Sequence, residues 1–217
     1  MTQLPLDLGH RPALGRADFL VAPCNAHAIA WLDRWPDWSA PALALYGAAG
    51  SGKTHLAHVF AARSGARRID PAQLKTERVP ALLADATAVI VDDADRAAAK
   101  PMLHLYNLIA ERRGYLLIVA RRPPSRWRIS LADLRSRLRA APAVAVAPPD
   151  EALIAAVLVK LFADRQLAVS EEVVAYLALR IERSFAAARD AVAALDAAAL
   201  AEQRRITVPL LRRVLAL

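Results

Sequence analysis

The sequence predicts an α/β fold, a parallel sheet between helices, with a second and smaller all-helical domain behind it. Three observations carry that prediction. Up to Val146, short apolar runs alternate with helix-prone segments, the pattern of a sheet covered on both faces. The run Gly47-Ala48-Ala49-Gly50-Ser51-Gly52-Lys53-Thr54 lies between the apolar stretch Leu43–Tyr46 and the helix-prone stretch His55–Ala62, a strand–loop–helix order. After Pro148-Pro149 the strand pattern stops and only helical segments remain.

Residues 1–14 read as a tail with two prolines, Pro5 and Pro12, and no periodicity. Residues 15–148 read as the sheet domain. Its strands are placed at Leu43–Tyr46, Ala66–Ile69, Ala88–Val91, Leu116–Ala120 and Ala143–Val146. Residues 149–217 read as the helical domain, with helices near Glu151–Arg165, Glu171–Leu179, Phe185–Glu202 and Val208–Leu215. Asp150, Ser170 and Thr207 are placed as N-caps, because their side-chain oxygens can accept from the unpaired N–H groups of a first helical turn. No internal repeat is present, and the alanine enrichment favours helix.

The glycine-rich run fits G-x-x-x-x-G-K-[ST], a phosphate-binding loop. Gly50 and Gly52 let the backbone turn its N–H groups around a phosphate, and the helix that follows points its positive end at the same anion. Lys53 would reach the terminal phosphates and the Thr54 hydroxyl would ligate Mg²⁺. Gly47, Ser51 and His55 complete the loop and the first helical turn. A second motif, Ala88-Val89-Ile90-Val91-Asp92-Asp93, is a buried strand ending in two acids. Asp92 would hold Mg²⁺ through its water shell, and Asp93 would orient or deprotonate an attacking water. Both motifs fall on the carboxyl edge of one sheet, where ligands bind in open α/β folds.

The net charge of +8 is carried mostly by arginine, lysine appearing only at Lys53, Lys75, Lys100 and Lys160. Such a balance suggests an anionic partner. Arg121, Arg122, Arg126, Arg128, Arg135, Arg137 and Arg139 crowd one segment, either a solvated basic face or a surface that meets another molecule's phosphates. The single cysteine, Cys24, excludes an intrachain disulfide, and the N-terminus carries no secretory pattern, so a cytoplasmic setting is expected. No apolar run approaches the roughly 20 residues of a membrane span. Trp31, Trp35 and Trp38 are read as packing residues over a nucleotide base or in the core, and His55, His58 and His104 as too scattered for a metal site.

Together these motifs resemble the AAA+ ATPases, a P-loop module with a small all-α lid domain, and the detail resembles the branch of the replication initiator DnaA. Leu103-His104-Leu105-Tyr106-Asn107, then Leu116-Leu117-Ile118-Val119 and Arg122-Pro123-Pro124, are similar to that branch's helix and sensor-1 strand. Leu131–Leu138 resembles its arginine-finger segment, Arg204–Pro209 its last lid helix, and Phe19-Leu20-Val21 with Asn25 its adenine-side box. The chain ends where a lid would end, without an initiator's helix-turn-helix domain. Gln3-Leu4-Pro5-Leu6-Asp7-Leu8 resembles the peptide by which bacterial proteins dock on the β sliding clamp of DNA polymerase III. In such a groove each buried leucine is worth roughly 1.5–3 kcal/mol before entropy costs.

A clamp peptide joined to a lid-terminated module resembles the Hda family, negative regulators of chromosomal replication initiation. The resemblance implies adenine nucleotide binding (ADP or ATP, with Mg²⁺), docking on the clamp through Gln3, Leu4, Leu6 and Leu8, and stimulated hydrolysis of the ATP held by DnaA. DNA would be met through the clamp, and self-association is implied as a possible state. Arg137 is the carried-over arginine finger, with Arg135 and Arg139 as less favoured neighbours. Two positions depart from the branch. Arg121 stands where sensor 1 is acidic, and Ala186 stands at the sensor-2 position, with Arg183 and Arg189 a turn to either side. Both departures weaken self-hydrolysis more than binding, so intrinsic ATPase activity is expected to be slow or absent. Two rival readings are a self-acting ATPase of helicase-loader type, which would carry a helicase-binding extension, and a direct DNA-binding DnaA-like protein, which would need an extended basic stripe.

Overall fold

The computed structural model describes residues 20–216. The tail peptide Gln3, Leu4, Leu6 and Leu8, and Phe19 of the adenine-side box, lie outside the described residues. The sheet domain opens with α1 (Ala26–Asp33), followed by β1 (Ala42–Tyr46), α2 (Lys53–Ser64), β2 (Arg67–Ile69), α3 (Val79–Leu83) and β3 (Ala88–Val91). It continues through α4 (Ala99–Glu111), β4 (Tyr115–Ala120), α5 (Ala132–Ala140) and β5 (Ala143–Ala145). All pairings are parallel, in the order β2-β3-β4-β1-β5. In register, Tyr46 pairs with Ala120 and Val91 with Ile118, so the carboxyl ends of β1, β3 and β4 lie side by side.

Alternation along each strand divides the core into two layers. Ala42, Ala44, Val89, Val91, Leu116 and Ile118 pack against α3, α4 and α5. Leu43, Leu45, Ile90, Leu117, Val119 and Val144 pack against α1 and α2. The central strands are apolar on both faces because both faces are covered, which is why they read as unbroken apolar runs. In the second layer Trp38 stacks on Phe60 at 5.3 Å between centroids, and Trp35 meets Phe60 and Tyr115 edge-on at 5.9 Å. These tryptophans are core.

The lid comprises α6 (Glu151–Asp164), α7 (Glu171–Arg180), α8 (Phe185–Glu202) and α9 (Val208–Leu215), and it has its own apolar core around Leu158, Phe162, Leu177, Val192, Leu195 and Leu211. Asp150 and Ser170 cap as the sequence predicts, accepting from the backbone N–H groups of Leu153 and Val173. Thr207 occupies the N-cap position of α9 in extended conformation, but its side chain makes no capping bond. Pro209 at the second helical position removes one of the two N–H groups that a cap usually holds. Ser184, unforeseen from sequence, caps α8 by accepting from the Ala187 N–H at 3.1 Å. Among the described residues no helix is long and apolar enough to cross a membrane.

Candidate nucleotide site

The phosphate loop leaves β1 at Gly47, which lies so close to the chain just past β5 that a Cβ there would sit 2.2 Å from the Val146 carbonyl oxygen. Gly50 and Gly52 adopt left-handed backbone, φ +72° and +96°, and Gly52 is the N-cap of α2. Lys53 opens that helix and is 8% exposed. Its Nζ donates to the Ala48 carbonyl at 2.6 Å and to Ser51 Oγ at 3.3 Å, folding the loop around its own cation. Burial pushes the Lys53 amine below its ordinary value. Asp92 and Asp93 oppose that shift and Arg121 adds to it. His55 lies half-buried in the first turn of α2.

The loop and the strand acids meet as the two motifs require. The Thr54 hydroxyl donates to Asp92 Oδ2 at 2.9 Å, joining the start of α2 to the end of β3 across 38 residues of chain. Asp92 Oδ1 accepts from the Asp93 N–H at 2.9 Å. Asp93 itself is left-handed, φ +48°, and its carboxylate lies 3.6 Å from Arg96. Arg121 follows the last residue of β4, beside Gly47, whose N–H donates to the Ala120 carbonyl at 3.3 Å.

Three further positions are resolved. Asn25 is 2% exposed, and its amide is used locally: Oδ1 accepts from the Ala22 N–H at 2.9 Å and Nδ2 donates to the Leu20 carbonyl at 3.0 Å. It therefore shapes the chain segment that leads into α1. Arg189 is exposed on α8, one turn beyond Phe185 and on the same helical face. Arg137 lies on α5, packed over the Tyr106 ring of α4 at 5.7 Å and paired with Asp133 at 2.8 Å. That places it in the layer of α4 and α5, on the opposite face of the sheet from α2.

The lid contacts the loop directly. The Phe185 N–H donates to the Gly50 carbonyl at 3.0 Å. A Cβ on Gly50 would lie 2.5 Å from Ser184 Cβ, and one on Gly52 would lie 2.9 Å from the Phe185 ring. The loop glycines thus serve two ends, the inward turn of the backbone and the close approach of α8. Composition gives no signal for this contact, because Ser184 and Phe185 belong to no phosphate motif.

The donor set fits a nucleoside phosphate with a divalent ion. It offers a glycine loop at a helix start, a buried amine, and a hydroxyl and a carboxylate already within hydrogen-bond distance.

Residues 150–215 match the family described as Hda, lid domain. The fold matches domain III of the Thermotoga maritima replication initiation protein DnaA, with TM-score 0.79 and 19% identity over 95% of this chain and 97% of that one. It matches AMPPCP-bound DnaA from Aquifex aeolicus with TM-score 0.69 and 17% identity, covering 87% of this chain but only 66% of that one. A Thermotoga maritima RuvB variant matches with TM-score 0.76 and 15% identity over 94% of this chain and 71% of that one. At these identities the structural likenesses establish the fold alone: the chain has the fold of DnaA domain III, and its residues 150–215 are similar to the Hda lid domain.

Proposed function

We propose that this protein is a negative regulator of chromosomal replication initiation that binds adenine nucleotide, docks on the β sliding clamp and stimulates hydrolysis of the ATP held by DnaA. The observation that carries the reading is the placement of Arg137. It packs against α4, in the layer on the far side of the sheet from its own α2, so it is available to a neighbour's nucleotide. Asp133 and Tyr106 hold the guanidinium in a defined place without burying it. A positioned guanidinium stabilises the charge that develops on a transferring phosphoryl group, an effect worth about 10³–10⁵ in rate in other nucleotidases.

In this reading Gly47, Gly50, Ser51 and Gly52 cradle the phosphates of the protein's own ADP or ATP, Lys53 turns from the Ala48 carbonyl to those phosphates, and Thr54 with Asp92 would hold Mg²⁺. The metal supplies charge neutralisation when bound. Asn25 orders the adenine side, His55 lines the first turn of α2, and Arg189 is one of the two lid arginines, with Arg183, that lie a turn from the missing sensor-2 position. Asp93 is the residue for orienting a water, but its pairing with Arg96, and an arginine at position 121 in place of an acid, support slow intrinsic hydrolysis. Gln3, Leu4, Leu6 and Leu8 would supply the clamp contact.

The test is a reconstituted assay with DnaA–ATP, DNA-loaded clamp and this protein. Arg137→Ala should abolish stimulated hydrolysis and leave clamp binding intact, whereas Gln3→Ala with Leu6→Ala should abolish clamp binding. Parent-like behaviour of both variants would refute the assignment of roles.

A further inference from the structure

The strand acid that would hold the metal has an arginine partner that no part of the nucleotide cradle accounts for. Arg68 lies on the edge strand β2, and its Nη2 is 3.8 Å from Asp92 Oδ2, the same oxygen that accepts the Thr54 hydroxyl. Its Nη1 donates to His58 Nε2 at 2.5 Å. His58 is one turn beyond Thr54 on α2, so the guanidinium is held between the start of that helix and the end of β3. An arginine is always a donor, so His58 must present Nε2 as an acceptor and carry its proton on Nδ1. Burial and the Arg68 charge both push the imidazole below its ordinary value, against the pull of Asp92, in keeping with a neutral ring. Arg68 also lines an open cavity of about 680 Å³ together with Asp92, Asp93 and Arg96. A positive charge fixed beside the Thr54–Asp92 pair does part of what a divalent ion does there: it offsets the carboxylate that an incoming diphosphate must approach.

We propose that Arg68 is a resident counter-cation for Asp92, a positioning residue that lets ADP enter the phosphate loop without a divalent ion. The inference rests on the reading that this loop binds adenine nucleotide. Arg68 touches Asp92 and His58, and it acts on the ligand through Asp92. His58 fixes the rotamer and gains no charge in doing so.

Calorimetric titration of the full chain with ADP, once in Mg²⁺ and once in EDTA, tests it. Arg68→Met should weaken ADP binding in EDTA by about two- to fivefold, the scale of a partly exposed ion pair, and leave binding in Mg²⁺ unchanged. Arg68→Lys, which keeps the charge, should restore most of the affinity lost in EDTA. Unchanged binding in Mg²⁺ also shows that the variant is folded. The proposal is overturned if removing Mg²⁺ costs the parent and Arg68→Met the same factor, or if Arg68→Met loses affinity equally in both buffers. If the parent takes up no ADP in either buffer, the nucleotide reading itself falls and this inference falls with it.

Discussion

Replacing Gly50 by alanine measures how tightly the lid is docked on the phosphate loop. Gly50 and Gly65 share nearly the same backbone, φ +72° and +67°, but differ in what surrounds them. A Cβ on Gly65 meets nothing within 4 Å, whereas one on Gly50 meets Ser184 Cβ at 2.5 Å and Ser184 Oγ at 2.9 Å. The left-handed conformation costs either alanine about 1–2 kcal/mol. Only Gly50→Ala adds overpacking, about 1–3 kcal/mol. Ser184 cannot easily retreat, because it is buried and its Oγ caps α8. Gly65→Ala should therefore lose about 1–2 kcal/mol and Gly50→Ala about 2–5 kcal/mol in urea unfolding. Adding Ser184→Gly to Gly50→Ala removes the clashing atoms, and glycine at an N-cap costs only a few tenths of a kcal/mol. The double variant should regain most of the difference, a coupling that a double-mutant cycle reads directly. Equal losses at Gly50 and Gly65, or no recovery on removing the Ser184 side chain, would refute the docking of α8 on the loop.

The His58 imidazole is held below its ordinary value of 6.5, first by burial and then by Arg68. The unfolded chain therefore binds the extra proton more readily, and the contribution of His58 to stability is complete above the unfolded value and lost as pH falls through the lowered folded one. Unfolding midpoints measured from neutral to mildly acidic pH should drop less steeply for His58→Gln than for the parent. Ser170→Ala removes the bond to the Val173 N–H and should cost about 1 kcal/mol of stability, read in the same unfolding assay. Thr207→Ala should cost less, because the Thr207 side chain makes no capping bond.

Most of the sheet was legible because its central strands are buried on both faces, which turns Leu43–Tyr46, Ala88–Val91 and Leu116–Ala120 into short apolar runs set off by loop signals. At the edge the signal weakens. The second strand begins at Arg67, one residue later than Ala66 suggests, and two of its three residues are exposed arginines. The phosphate loop was legible because its chemistry is local in sequence, and Asp92 because an apolar strand delivers it to the same edge. The contacts that set their surroundings were not. Arg68 on an edge strand reads as a solvated charge until His58 and Asp92 are seen on either side of it. The approach of Ser184 and Phe185 to Gly50 and Gly52 joins segments more than a hundred residues apart in the numbering, and it depends on the absence of two Cβ atoms. Asn25, expected at the adenine side, has its amide used locally by Leu20 and Ala22, a pairing that sequence alone does not show.

Calorimetric titration of the parent and of Lys53→Ala with ADP in Mg²⁺ tests the central claim most directly, because Lys53 is the buried amine around which the loop folds. The account predicts one saturable site in the parent and its loss in Lys53→Ala, with the unfolding midpoint of the variant close to that of the parent. No heat of binding in the parent, or equal affinity in the two proteins, would contradict it.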